Sequence, residues 1–83
     1  MKEQKPIGEV THFYGHLGVA IVKFNKVVTV GTTLRFKGAT TDFEETVGSM
    51  QYDHKSVEGA KKGQEVGLKV KQKAREGDLV FQV

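Results

Sequence analysis

The sequence predicts an all-β domain, either a sandwich or a small barrel. Three observations carry the prediction. Short stretches rich in β-branched and aromatic residues alternate apolar with polar positions, ten glycines fall mostly between those stretches, and no segment keeps helical spacing for more than about one turn. Many short strands joined by glycine turns belong to two-layer or closed β architectures.

Each element follows from its local pattern. Ile7 to Phe13 alternates loosely and reads as the first strand. Tyr14-Gly15-His16 reads as a turn, since glycine takes positive φ without cost. Leu17 to Phe24 is the second strand, with Leu17, Val19 and Ile21 on one face and Ala20, Val22 and Phe24 on the other. Apolar residues on both faces mark a central or barrel strand rather than a solvated one. Asn25-Lys26 turns the chain into Val27–Val30, and Thr33–Lys37 follows, with Leu34 and Phe36 inward and Arg35 and Lys37 outward. Phe43 to Tyr52 reads as one long strand interrupted by a bulge near Gly48. Lys55 to Lys62 reads as one helical turn, too short to stand alone. Glu65 to Lys73 has the cleanest alternation in the chain: Val66, Leu68 and Val70 point inward, and Lys69, Lys71 and Lys73 form an outward row. Glu76-Gly77-Asp78 is the last turn and Leu79–Val83 the closing strand.

The chain of 83 residues is expected to fold as one domain, residues 1–83, with residues 1–6 frayed. Without cysteine, disulfides, thiolate metal sites and cysteine nucleophiles are excluded. The polar N-terminus has no apolar run behind it like that of a signal peptide, and Val19–Val22 is far shorter than the roughly 20 residues that span a bilayer. A cytoplasmic protein without membrane association is the expectation. The net charge of +3 is unevenly spread: residues 1–41 and 55–75 are basic, while 42–54 carry Asp42, Glu44, Glu45 and Asp53 with no lysine or arginine.

Candidate chemistry is sparse. His12 and His16 flank a turn rather than sharing a helix face, so with His54 they give no metal site. Glu44 and Glu45 are adjacent and point to opposite faces of a strand, which does not make an acid–base pair. Gly15-His16-Leu17-Gly18 has the form of an RNA-clamping loop, but that loop needs helices around it. No catalytic residue, metal or cofactor is expected. The best binding candidate is the row Lys69, Lys71 and Lys73, with Arg75 beyond it, whose ammonium groups would lie about 7 Å apart along a strand. Outward lysines also block edge-to-edge aggregation, so the row reads equally as a solubility device. Tyr14, Tyr52 and His54 would stack on bases where exposed.

Four segments in order carry a resemblance. Gly31-Thr32-Thr33-Leu34-Arg35-Phe36-Lys37-Gly38, Thr46-Val47-Gly48-Ser49-Met50-Gln51, Ala60 to Leu68, and Arg75-Glu76-Gly77-Asp78-Leu79-Val80 resemble the strands and turns of the second domain of translational GTPases such as elongation factor Tu and initiation factor two. The chain is most similar to short translation elongation factor-like proteins and to the C-terminal domain of collagenase-like peptidases, with Gly38 to Val47 the part most like these. The resemblance implies a small closed β-barrel of six or seven strands. Thr32 and Thr33 stand where those factors have an acidic turn, and no phosphate-cradling G-x-x-x-x-G-K-[ST] is present, so no nucleoside triphosphate is expected.

Two functions follow as expectations. The first is a non-catalytic binding module contacting transfer RNA or ribosome-associated RNA through Lys69, Lys71, Lys73, Arg75, Arg35 and Lys37. The second is a protein-interaction module, a stand-alone equivalent of the accessory barrel of a peptidase-like or RNA-modification enzyme, docking through exposed apolar residues around Phe13 and Tyr14.

Overall fold

The computed structural model describes residues 5–83. The frayed start expected for residues 1–6 therefore lies, for residues 1–4, outside the described residues; Pro6 has its carbonyl tied to the side-chain amide of Asn25 at 3.1 Å. The described residues form β1 (Gly8–Tyr14), β2 (Val19–Phe24), β3 (Val28–Thr29), β4 (Thr33–Lys37), β5 (Asp42–Thr46), β6 (Met50–Tyr52), β7 (Lys55–Val57), β8 (Gly59–Ala60), β9 (Glu65–Lys69) and β10 (Leu79–Gln82), with no helix. The main sheet is antiparallel, in the order β5-β4-β10-β1-β2-β9-β6-β7, and β3 pairs with β8 in a second, two-stranded sheet.

The all-β expectation holds. The main sheet is an open half-barrel, however, not the expected closed barrel of six or seven strands: its marginal strands, β5 and β7, do not pair with each other. The two ends are connected instead by the chain, because residues 47–49 lead from β5 directly into β6 near the opposite margin. Phe43 to Tyr52 is thus not one bulged strand but two short ones serving opposite ends of the sheet. The break follows from hydrogen bonding: Val47 exchanges bonds with the turn before β4, its amide donating to the Thr32 carbonyl and its carbonyl accepting from the Gly31 amide, after which Met50 takes up pairing with Leu68 on β9.

The inward positions of the strands share one core. Val10, Ala20, Val22, Phe24, Leu34, Phe36, Met50, Val66, Leu68 and Val80 are all buried, as the period-2 reading of each segment requires. Val28 and Ala60 bring the small sheet onto the same cluster.

Three local expectations are overturned. Residues 55–62 contain no helical turn; Asp53 and His54 both take positive φ (53° and 63°), the mirror-image geometry that closes a two-residue hairpin, so β7 folds back on β6 with Tyr52 opposite Lys55. The register shift lies between Val10 and His12 on β1, not beside Gly48. Finally, β1 runs through Tyr14, and the turn follows it, closed by the Leu17 and Gly18 amides donating to the Tyr14 carbonyl. Leu17 consequently sits in that turn and not on a strand.

Candidate functional site

The shift in β1 decides what the outer face of the half-barrel displays. Before it, Val10 lies opposite Val22; after it, His12 lies opposite Ile21 and Tyr14 opposite Val19. His12 and Tyr14 thereby join the outward set of β2. Cross-strand register extends one row over five strands, His12, Ile21, Gly67, Gln51 and Ser56, and a second over three, Tyr14, Val19 and Lys69. The additional residue, Thr11, donates its hydroxyl to the Ile21 carbonyl (3.3 Å) and to the Glu65 carboxylate (2.8 Å), so Glu65 is held at the margin of this face.

Three adjoining clefts on the face form one trough. The first, about 360 Å3, is lined by Tyr14, Leu17, Val19, Ile21, Gln51, Asp53, His54, Glu65 and Gly67. The second, about 240 Å3, shares Leu17, Val19, Gln51 and Gly67 with it and adds Ser49 and Lys69. The third, about 560 Å3, shares Ser49 and Lys69 with the second and reaches Glu45, Thr46, Gly48, Val70 and Lys71. One end of the trough is therefore aromatic, apolar and acidic; the other holds two lysines.

Gly67 shapes the middle. A Cβ there would lie 3.2 Å from Val19 Cγ1, tighter than an ordinary van der Waals contact, and would touch Ile21 Cδ1 at 3.4 Å. Its absence lets Val19 and Ile21 lean across β9 and make a smooth apolar floor. At the aromatic end, the rings of His12 and Tyr14 lie 4.3 Å apart between centroids, and His12 Nδ1 lies 3.5 Å from Glu76 Oε2. His12 thus braces Tyr14, which is 46% exposed.

The structure divides the basic residues singled out from the sequence. Lys69 ends β9, and Lys71 and Lys73 lie in the following loop rather than on a continued strand, because the Val70 amide leaves the ladder for the Gly18 carbonyl and the Lys71 amide for Glu45 Oε1, both at 2.8 Å. All three lysines are exposed and none has an ion-pair partner among the described residues. Only Lys69 and Lys71 line the trough. Arg75 lies at the far end of the loop, where its amide donates to Asp78 Oδ2 at 2.8 Å. Arg35 is committed elsewhere: its Nε and Nη2 donate to the two Asp42 oxygens at 3.0 and 3.1 Å. β10, β1 and β2 separate β4, which carries Arg35 and Lys37, from β9. Of the six cations, Lys69 and Lys71 line the trough.

Of the predicted stacking residues, Tyr14 and His54 line the trough and Tyr52 is 42% exposed beside it. Phe13 packs against the core instead. The residues missed from sequence are Leu17, Val19, Ile21, Ser49, Gln51 and Gly67. For Val19 and Ile21 the signal was the apolar content of both faces of β2, which marks an outer surface with a purpose as readily as a central strand; the other four come to the trough only through register and turn geometry. Among the described residues, no group of three histidine, aspartate or glutamate side chains is placed to hold a metal ion.

Comparison with known proteins places this architecture. No family model matches the sequence. Over 76 residues, 90% of this chain, it is 45% identical to an uncharacterized protease of Methanocaldococcus jannaschii. The match covers 19% of that protein, so the chain spans about a fifth of its length. Two crystal structures of the C-terminal domain of a Geobacillus thermoleovorans protein assigned to the U32 peptidases share the fold. One, a selenomethionine variant, superposes with a TM-score of 0.88 over 94% of this chain and 99% of that one; the other with 0.87 over 100% and 98%. Identity is 18% in both, so these likenesses speak for the fold alone. They bear out the peptidase part of the expected resemblance; the translation-factor part is not shown by them.

Proposed function

We propose that the chain is a non-catalytic accessory β module of the kind found at the C-terminal end of peptidase-like proteins, and that its trough binds single-stranded RNA. The observation that carries this reading is the junction of two surfaces in one continuous depression. Lys69 and Lys71 stand at one end, and Tyr14 and His54 over an apolar floor at the other. Single-strand binders combine those two elements: cations that track phosphates and rings on which bases stack. Glu65 and Asp53 at the aromatic end repel phosphate and accept hydrogen bonds from base N–H groups, so they favour bases at that end. Arg35 and Lys37, which the sequence reading had included, are left out of the contact set.

The test is fluorescence anisotropy with a labelled single-stranded RNA, transfer RNA and an RNA duplex across a salt series. Two phosphate contacts, through Lys69 and Lys71, predict that log affinity falls with log salt at a slope of about 1.4, since each contact on a single strand contributes roughly 0.7. Preference for the single strand over the duplex is expected. Binding that is absent, or indifferent to salt, would overturn the RNA reading.

A second reading is favoured by the aromatic end alone. Leu17 is 63% exposed and Tyr14 46%, and an apolar patch of this kind also suits a protein partner. Leu17→Asp would then abolish association with that partner, in a chain that shows no salt-dependent RNA affinity.

A further inference from the structure

The open half-barrel leaves two marginal strands, and they are not alike. Along the β4–β5 ladder the Gly38 amide donates to the Thr41 carbonyl and the Val47 amide to the Thr32 carbonyl. Hydrogen-bonded and non-bonded pairs alternate in an antiparallel ladder, so Phe43 and Glu45 turn their main-chain groups toward Phe36 and Leu34. Asp42, Glu44 and Thr46 therefore turn theirs to the open side, and no hydrogen bond reaches those groups among the described residues. All three residues are exposed, and the third cleft opens beside Glu45 and Thr46, leaving room at that end. On β7 the same alternation leaves Ser56 alone facing out, because Tyr52 and Lys55 close the hairpin as a bonded pair. Charge is laid out in rows across the β5 margin. On the outer face β4 carries Arg35 and Lys37, and β5 carries Asp42 and Glu44. Arg35 lies opposite Glu44 but is bonded to Asp42, so Glu44 has no ion-pair partner among the described residues. On the inner face Phe43 is buried.

We infer that β5 accepts an extended peptide strand from a protein partner, continuing the antiparallel sheet, with a basic residue beside Glu44 and an apolar one beside Phe43. Strand addition draws affinity from main-chain hydrogen bonds and specificity from alternate side chains. Edges are commonly blunted by proline or a bulge; β5 has neither, its register with β4 being unbroken. Its acids select the occupant. A basic side chain on the added strand extends the alternation of charge from β4 to β5 by one more row, and opposite charges across strands are favourable. A second copy of this chain is the wrong occupant, because two β5 strands aligned antiparallel set Glu44 against another Glu44 or against Asp42, and like charges directly opposite are destabilising. The inference does not rest on the RNA reading.

The test uses 1H–15N correlation spectra and amide hydrogen exchange of the full chain with a capped peptide, Thr-Val-Arg-Val-Lys, whose arginine falls opposite Glu44 in antiparallel register. A second peptide carries an N-methyl group on that arginine, which removes the main-chain donor facing β5 and keeps the charge. The amides of Asp42, Glu44 and Thr46 should move downfield and slow in exchange with the first peptide, and stay unmoved with the second. Glu44→Lys should weaken binding of the first peptide by about tenfold, a favourable charge pair being exchanged for a like pair. Equal binding of the two peptides, or shifts confined to residues outside β5, would overturn strand addition. An absence of shifts at millimolar peptide would overturn it as well. Shifts of the same three amides that grow with protein concentration alone would overturn the peptide partner in favour of self-pairing.

Discussion

Phe36 and Phe43 face each other across β4 and β5, their rings nearly parallel with centroids 4.9 Å apart, and both are buried. Truncating Phe36 to alanine removes one half of this stack and leaves a cavity in a small core. It should cost about 3–5 kcal/mol, read as a lower midpoint in urea. Gly8 tests the opposite fault: a Cβ there would come within 2.9 Å of both Phe24 Cδ1 and Val22 Cγ1, so Gly8→Ala should destabilise by about 1–3 kcal/mol through overpacking. Single residues were legible in the sequence wherever strict alternation held. Leu34 and Phe36, and likewise Val66, Leu68 and Val70, were placed inward by pattern alone, and all are buried. Leu17 was not, because alternation assigns a face but cannot see that the Tyr14 carbonyl closes a turn over it.

The hairpin of β6 and β7 was the element read least well. Val57 and Ala60, three residues apart, imitate a helical turn, whereas two left-handed residues at Asp53 and His54 fold the chain back. Aspartate tolerates that conformation better than histidine does. His54→Gly should therefore raise the melting temperature, by the equivalent of about 1 kcal/mol, while removing one ring from the trough. Loss of RNA affinity together with a gain in stability would separate the two roles of the residue. The connection between β5 and the loop after β9 makes its own prediction. Glu45→Ala deprives the Lys71 amide of its acceptor, so hydrogen exchange at that amide should quicken while the core amides of Val22 and Val66 keep their protection.

An all-β chain was legible from composition and period because those report on local pairing. How the sheet ends was not, since closure depends on which strand meets which over long separations, and the same short segments serve an open half-barrel as well as a closed barrel. The site was legible in fragments for the same reason. Lys69, Lys71, Tyr14 and His54 were named from their chemistry, but the trough exists only because register brings β1, β2, β9 and β6 side by side. Charge reversal at Lys69 and Lys71 should abolish RNA affinity, whereas Arg35→Ala, which removes a guanidinium already paired with Asp42, should leave it almost unchanged. Residues 47–49 also bear on how the chain tolerates rearrangement. They are the covalent strap between opposite ends of the sheet, and a circular permutant opened at Gly48 would release β5 from β6. Each would then be free to pair with its counterpart in another molecule, so that permutant should form swapped dimers or larger assemblies, while one opened in the exposed loop at Ala39 should remain monomeric.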